Sequence, residues 1–137
     1  MSRRARSRHD KRVILNPIEV ACNGVQRLDP RDRAALQRIV ADALDEFRRG
    51  IRCPEHWACL ADSLNVAEAL SQAGICSDAA SVQRVTAAQQ VLADVRMRHH
   101  ERGTWTLRGT ELLALCDGLV MVRIQIDLCS VREYVDA

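Results

Sequence analysis

Apolar residues fall along this chain at helical spacing, in blocks separated by glycine and capping residues. Leu36, Ile39, Val40, Ala43, Leu44 and Phe47 follow i, i+3, i+4, i+7, i+8, i+11, the period of one helix face. Asp29 precedes Pro30 at the start of this block, and Gly50 follows Arg48 and Arg49 at its end. An N-cap carboxylate, a first-turn proline and a glycine stop predict a helix from Pro30 to about Arg49. A second helix is expected from Pro54 to Ala73 before Gly74, with Trp57, Leu60, Ala61, Leu64, Ala67 and Leu70 as its stripe. Ser77 or Asp78 caps a third, in which Val82, Val85, Ala88, Leu92 and Val95 repeat before His99, His100, Arg102 and Gly103. Basic side chains in a last turn face the negative helix end.

The final segment carries two patterns at once. From Thr106 or Thr110 onward, Leu112, Leu113, Cys116, Leu119, Val120, Val122, Ile124, Ile126, Leu128, Val131 and Val135 make a wide apolar surface. Glu111, Gly118, Gln125 and Arg132 recur every seven residues, and the helix reading places them on a narrow outer edge. Val120 to Leu128 also reads as a strand, rich in β-branched residues at period two. The helix is preferred because no second strand pattern exists to pair with a lone one. The expected fold is all-α: about four main helices in one bundle spanning 29–137, preceded by a basic arm over 1–28, where Pro17 and Asn23-Gly24 interrupt any long helix.

With 137 residues the chain is one domain. Its single Phe, single Tyr and two Trp leave Leu, Val, Ile and Ala to build the core. No run approaches the length of a membrane span or an export signal. The net charge of +2 conceals a polarity: Arg3, Arg4, Arg6, Arg8, Lys11 and Arg12 stand against Asp10 alone, so the rest of the chain is acidic. Such an arm suits phosphate or another polyanion, and equally a plain solvated tail. The six cysteines, with no export signal, are expected to be reduced thiols of a cytoplasmic protein.

Candidate chemistry is sparse. Cys53, His56, Cys59, His99 and His100 are metal-ligand types, but ligands three apart on one helix spread around its circumference, so no metal is expected. His99 and His100 have no nucleophile placed beside them by a motif, and there is no phosphate loop, GxSxG or HExxH. The expectation is a protein without catalytic activity or cofactor. Trp57 and Trp105 sit near helix starts as core-edge or partner-contact residues. Val120, Ile124 and Leu128 share a side at spacings of four, on a segment apolar nearly all round, which points to a homodimer or a heteromeric docking face.

Asn16-Pro17-Ile18 after the basic start, Leu64 to Leu70 (LNVAEAL), Arg102 to Gly109 (RGTWTLRG) and Gln125 to Ser130 (QIDLCS) together resemble small helical proteins encoded by prophages and mobile elements of Gram-negative bacteria. The resemblance implies an accessory protein that binds a host component, such as an inhibitor of a CRISPR-Cas defence effector, in the bacterial cytoplasm. The competing expectation is a small nucleic-acid-binding regulator that contacts phosphates through the arm.

Overall fold

The computed structural model describes residues 27–50 and 54–137. Five helices follow one another: α1 (Pro30–Arg48), α2 (Pro54–Gln72), α3 (Ala79–Arg102), α4 (Gly109–Leu128) and the short α5 (Val131–Asp136). The four long helices form an all-α bundle, and no strand occurs among the described residues. Residues 1–26, most of the expected arm, lie outside them, while Leu28 is already buried against the core.

The helix ends follow from local chemistry. Asp29 Oδ1 accepts from the Arg31 amide at 2.7 Å and caps α1, and Asp78 accepts from the Ser81 amide at 3.1 Å to cap α3. These side chains satisfy donors that a helix start leaves without an internal partner. The Ser81 contacts, hydroxyl and amide, hold the Asp78 carboxyl below its ordinary range. Gly103 at φ 71° closes α3, the left-handed turn that glycine enters without strain. The expected cap of the next helix, Thr106 or Thr110, is corrected: α4 opens at Gly109, and Glu111 reaches back to accept from the Arg108 amide at 3.0 Å.

The core is aliphatic with one aromatic anchor. Phe47 of α1, Leu60, Leu64 and Leu70 of α2, Val85, Leu92 and Val95 of α3 and Leu115 of α4 are all buried. In the first three helices two expected stripe members are exposed: Ile39 at 56% and Val82 at 39%. Each sits at the margin of its stripe, where the neighbouring helix no longer covers it.

The segment after Gly109 is helical, as preferred over a strand, but it is not one helix to Val135. It breaks at Cys129 and Ser130, which form an extended corner, and Ser130 caps α5 with a reciprocal Glu133 contact at 2.7 Å. The expected outer edge is also reversed. Gln125 is fully buried, Gly118 is buried, and the Glu111 side chain is only 13% exposed; of that series only Arg132, beyond the break, faces solvent.

The reversal has a steric and a polar cause. A Cβ on Gly118 would overlap the Ala88 methyl and stand 3.0 Å from the Arg84 carbonyl oxygen, so a bare backbone at 118 is what lets α3 and α4 lie so close. One heptad on, the Gln125 amide enters the end of α2. Its Nε2 donates among the Ala67 carbonyl at 3.0 Å, the Ser71 hydroxyl at 2.9 Å and the Ile75 carbonyl at 3.0 Å. The Ala67 carbonyl and the Ser71 hydroxyl lie on the last turns of α2, and the Ile75 carbonyl lies in the turn that follows it. The Gln125→Leu variant keeps the volume but strands the Ser71 and Ile75 oxygens. We expect it to lose about 1–3 kcal/mol, read as a lower urea midpoint with an unchanged slope.

Candidate functional site

Two surface features stand out from this scaffold. The first is a groove between α2 and α3, a cavity of about 550 Å³ whose walls include Trp57, Asn65, Gln89, Arg96, Met97 and His100. Trp57 is fixed there from two directions. Its indole Nε1 donates to the Leu92 carbonyl at 2.8 Å, and the Arg96 guanidinium carbon lies 4.9 Å from the ring centroid, the geometry of a cation over an aromatic face. At the far wall, Gln89 Nε2 donates to Glu68 at 2.9 Å and to Asn65 at 3.3 Å. Met97 is 60% exposed at the rim.

The groove arises from a second face of α3. Gln89, Ala93, Arg96, Met97 and His100 repeat at i, i+4, i+7, i+8, i+11, one helical face beside the core stripe of Val85, Ala88, Leu92 and Val95. Of these wall residues the sequence singles out Trp57 as a contact residue and His100 only for metal or acid–base chemistry. The available signal was Met97, a large apolar residue outside the core stripe beside a charged neighbour.

Trp105, the other expected aromatic contact, lies just beyond the C-terminal end of α3 and is not among the groove's walls. It stacks on His99 with ring centroids 3.9 Å apart and planes 9° from parallel. The same loop is held by Arg98, whose Nη2 donates to both Glu111 carboxylate oxygens at 2.8 and 2.9 Å and to the Thr106 carbonyl at 2.8 Å. Trp105 thus belongs to the packing of the α3–α4 corner and is half-buried.

The second feature is the outer side of α4. Leu113, Val120, Ile124 and Leu128 are 68%, 49%, 39% and 47% exposed, a row about 22 Å long at the rise of an α-helix. Beside it, Val40, Ala41 and Leu44 of α1 face Cys116, Leu119 and Ile126 of α4 across an apolar cavity of about 210 Å³. The far end of this seam is polar: Asp127 accepts from Gln37 Nε2 at 2.9 Å and lies 3.6 Å from Arg33 Nε.

No group of three or more His, Cys, Asp or Glu able to hold a metal occurs among the described residues; Cys53 lies outside them, and His56 and Cys59 are half-buried on α2. Cys59, Cys76, Cys116 and Cys129 are free thiols. Burial pushes the Cys59, Cys76 and Cys129 thiols up, each helped by a nearby carboxylate, so they stay protonated and unreactive at neutral pH. None of the described helices is long and apolar enough to cross a membrane. Arg3, Arg4, Arg6, Arg8, Lys11 and Arg12 lie outside the described residues. Compared with known proteins, the chain matches no family model, no curated protein and no solved structure.

Proposed function

We propose that the protein is a non-catalytic binding module, an accessory factor of a phage or mobile element that docks on a host protein complex and blocks or modifies it in the bacterial cytoplasm, as anti-CRISPR proteins do. The observation that carries the binding role is the α2–α3 groove. It offers an immobilised tryptophan, an arginine and an exposed methionine within one concavity, with amide side chains at its edge. Trp and Arg dominate binding energy at interfaces, and Met is enriched there. A tryptophan already fixed by a hydrogen bond and a guanidinium loses little freedom on association. The phage or mobile-element origin and the defence target rest on the resemblance of the sequence segments alone.

The Arg-rich arm favours a second reading, a regulator that holds nucleic acid through phosphate contacts. One experiment separates the two. Tagged full-length protein is used to capture partners from a Gram-negative lysate with and without nuclease, beside Arg96→Glu and Met97→Glu variants. Both substitutions fall on exposed positions, so the helical circular dichroism is expected to stay unchanged. The binding reading expects a discrete protein that survives nuclease and falls about tenfold or more with either variant, as for loss of an interface hot spot. Capture abolished by nuclease transfers the role to the arm. Capture indifferent to both substitutions removes the groove from the function.

A further inference from the structure

The α2–α3 groove differs chemically at its two ends. At one end the Arg96 guanidinium is held over Trp57, yet it makes no hydrogen bond or ion pair among the described residues. Its N–H donors are unspent. His100, one turn further along α3, is exposed on the same wall and is likewise without a hydrogen bond or ion pair among the described residues. A planar fork of donors beside an imidazole suits a carboxylate, whose two oxygens accept from the fork together.

The other end is neutral and lies two turns, about 10 Å, back along α3. There Gln89 Nε2 donates to Asn65 Oδ1 and to Glu68 Oε2. The Gln89 carbonyl oxygen and the Asn65 amide N–H groups keep no partner among the described residues. An acceptor beside a donor satisfies the N–H and C=O of one backbone residue of an extended chain. Between the two ends, Ala61 and Ala93 are side chains of one carbon, and exposed Met97 stands at the rim. They leave apolar room for a side chain. A gap of about 10 Å is three residues of extended chain at about 3.3 Å each.

We infer that the groove takes an extended acidic peptide segment of the partner. An Asp or Glu of that segment sits on Arg96 and His100, an apolar side chain lies over Ala61 and Ala93, and the backbone pairs with Asn65 and Gln89. This rests on the binding role proposed for the groove and names what the groove recognises. A nucleic-acid strand fits it less well, because phosphate charge recurs along the whole strand. Beyond Arg96 and His100 that charge would run toward the Glu68 carboxylate behind Gln89, whereas a single carboxylate meets the cation and stays clear of it.

The test is an array of synthetic pentapeptides, acetylated and amidated so that only side chains carry charge, probed with tagged full-length protein. Wild type is expected to retain peptides that carry Asp or Glu next to an apolar residue. In solution the best of them should bind about tenfold or more weakly once its acid is exchanged for the matching amide, and Arg96→Gln should cost about the same, as for loss of one member of an interfacial charge pair. The two losses should not add, since they remove one contact. Arg96→Glu, checked for unchanged circular dichroism, should turn the preference toward Lys and Arg. Asn65→Ala should weaken every retained peptide and leave the acidic preference in place. An array that retains nothing, retention without regard to acidic residues, or an acidic preference that survives Arg96→Glu overturns the inference. So does tighter binding of single-stranded oligodeoxythymidylate that is lost in Arg96→Glu. In any of these cases a host protein whose capture still falls with Met97→Glu leaves the groove its binding role, and only the acidic peptide is withdrawn.

Discussion

Replacing Gly118 with leucine is expected to abolish the native fold. The position is buried in the α3–α4 contact, and even a single added carbon there would coincide with the Ala88 methyl, with the Arg84 carbonyl and Leu64 close behind. The two nearest cannot swing away: one is a side chain of a single atom, and the other is helix backbone. Overpacking a tight core costs about 1–3 kcal/mol for modest insertions, and a leucine adds four heavy atoms where one does not fit, against a total stability of about 5–15 kcal/mol. Circular dichroism should show loss of a cooperative melt. Gly118→Ala gives the graded version. It gains up to about 1 kcal/mol of helix propensity yet should still be less stable than wild type, because α3 must move outward. Pairing it with Ala88→Gly, which transfers the gap to the facing helix, should recover part of the loss. A Gly118→Leu protein that melts cooperatively near the wild-type temperature would show that the two helices are not in close contact.

The second large effect is expected at the α3–α4 corner. Arg98 and Glu111 have side chains only 15% and 13% exposed and are joined through both carboxylate oxygens. The arginine also ties down the Thr106 carbonyl, while its own Nε is buried without a hydrogen-bond partner. Arg98→Met preserves the aliphatic stem but leaves the Glu111 carboxylate with the Arg108 backbone amide and a distant Arg108 side chain at 4.0 Å. Stranding one member of a mostly buried pair costs about 3–5 kcal/mol, and denaturant unfolding should register a fall of that order. Adding Glu111→Leu to Arg98→Met should return much of it, since two apolar residues then replace two charges. Equal instability of the single and double variants would mean that packing around the arginine stem, rather than charge compensation, holds the corner.

The existence of the four long helices, and the ends marked by Asp29, Gly74, Asp78 and Gly103, were legible in the sequence because their causes are local, whereas the Arg108 cap of α4 and the break at Cys129 and Ser130 were not. Asp29, Asp78, Gly74 and Gly103 act within one turn of where they stand, and each lies where a boundary was expected. The orientation of α4 was not legible. On a helix apolar nearly all round, residue polarity no longer says which side faces inward, and a heptad series of Glu, Gly and Gln reads as a solvated edge. What decides is a partner far away in the chain: Ala88 for Gly118, Arg98 for Glu111, and the Ala67, Ser71 and Ile75 oxygens for Gln125. None of these relations leaves a spacing signal. The outward row of Val120, Ile124 and Leu128 was legible as a shared side, since it needs only the helical period. The α2–α3 groove was half legible: Trp57 attracts notice by itself, but Arg96 and Met97 gain meaning only when α2 lies beside α3.

The corner at Cys129 and Ser130 does more than end α4. Arg27, just before α1, forms an isolated antiparallel bridge with Ser130, and Leu28 beside it is buried. The two outermost stretches of the described body are thereby latched to each other instead of ending separately. The outer stretches of a helical bundle normally open at low free-energy cost, and their amides exchange with solvent accordingly. Here, peeling α5 away exposes the start of α1, and lifting the start of α1 uncovers Ser130, so the amides at both ends should share one opening event and one rate of exchange.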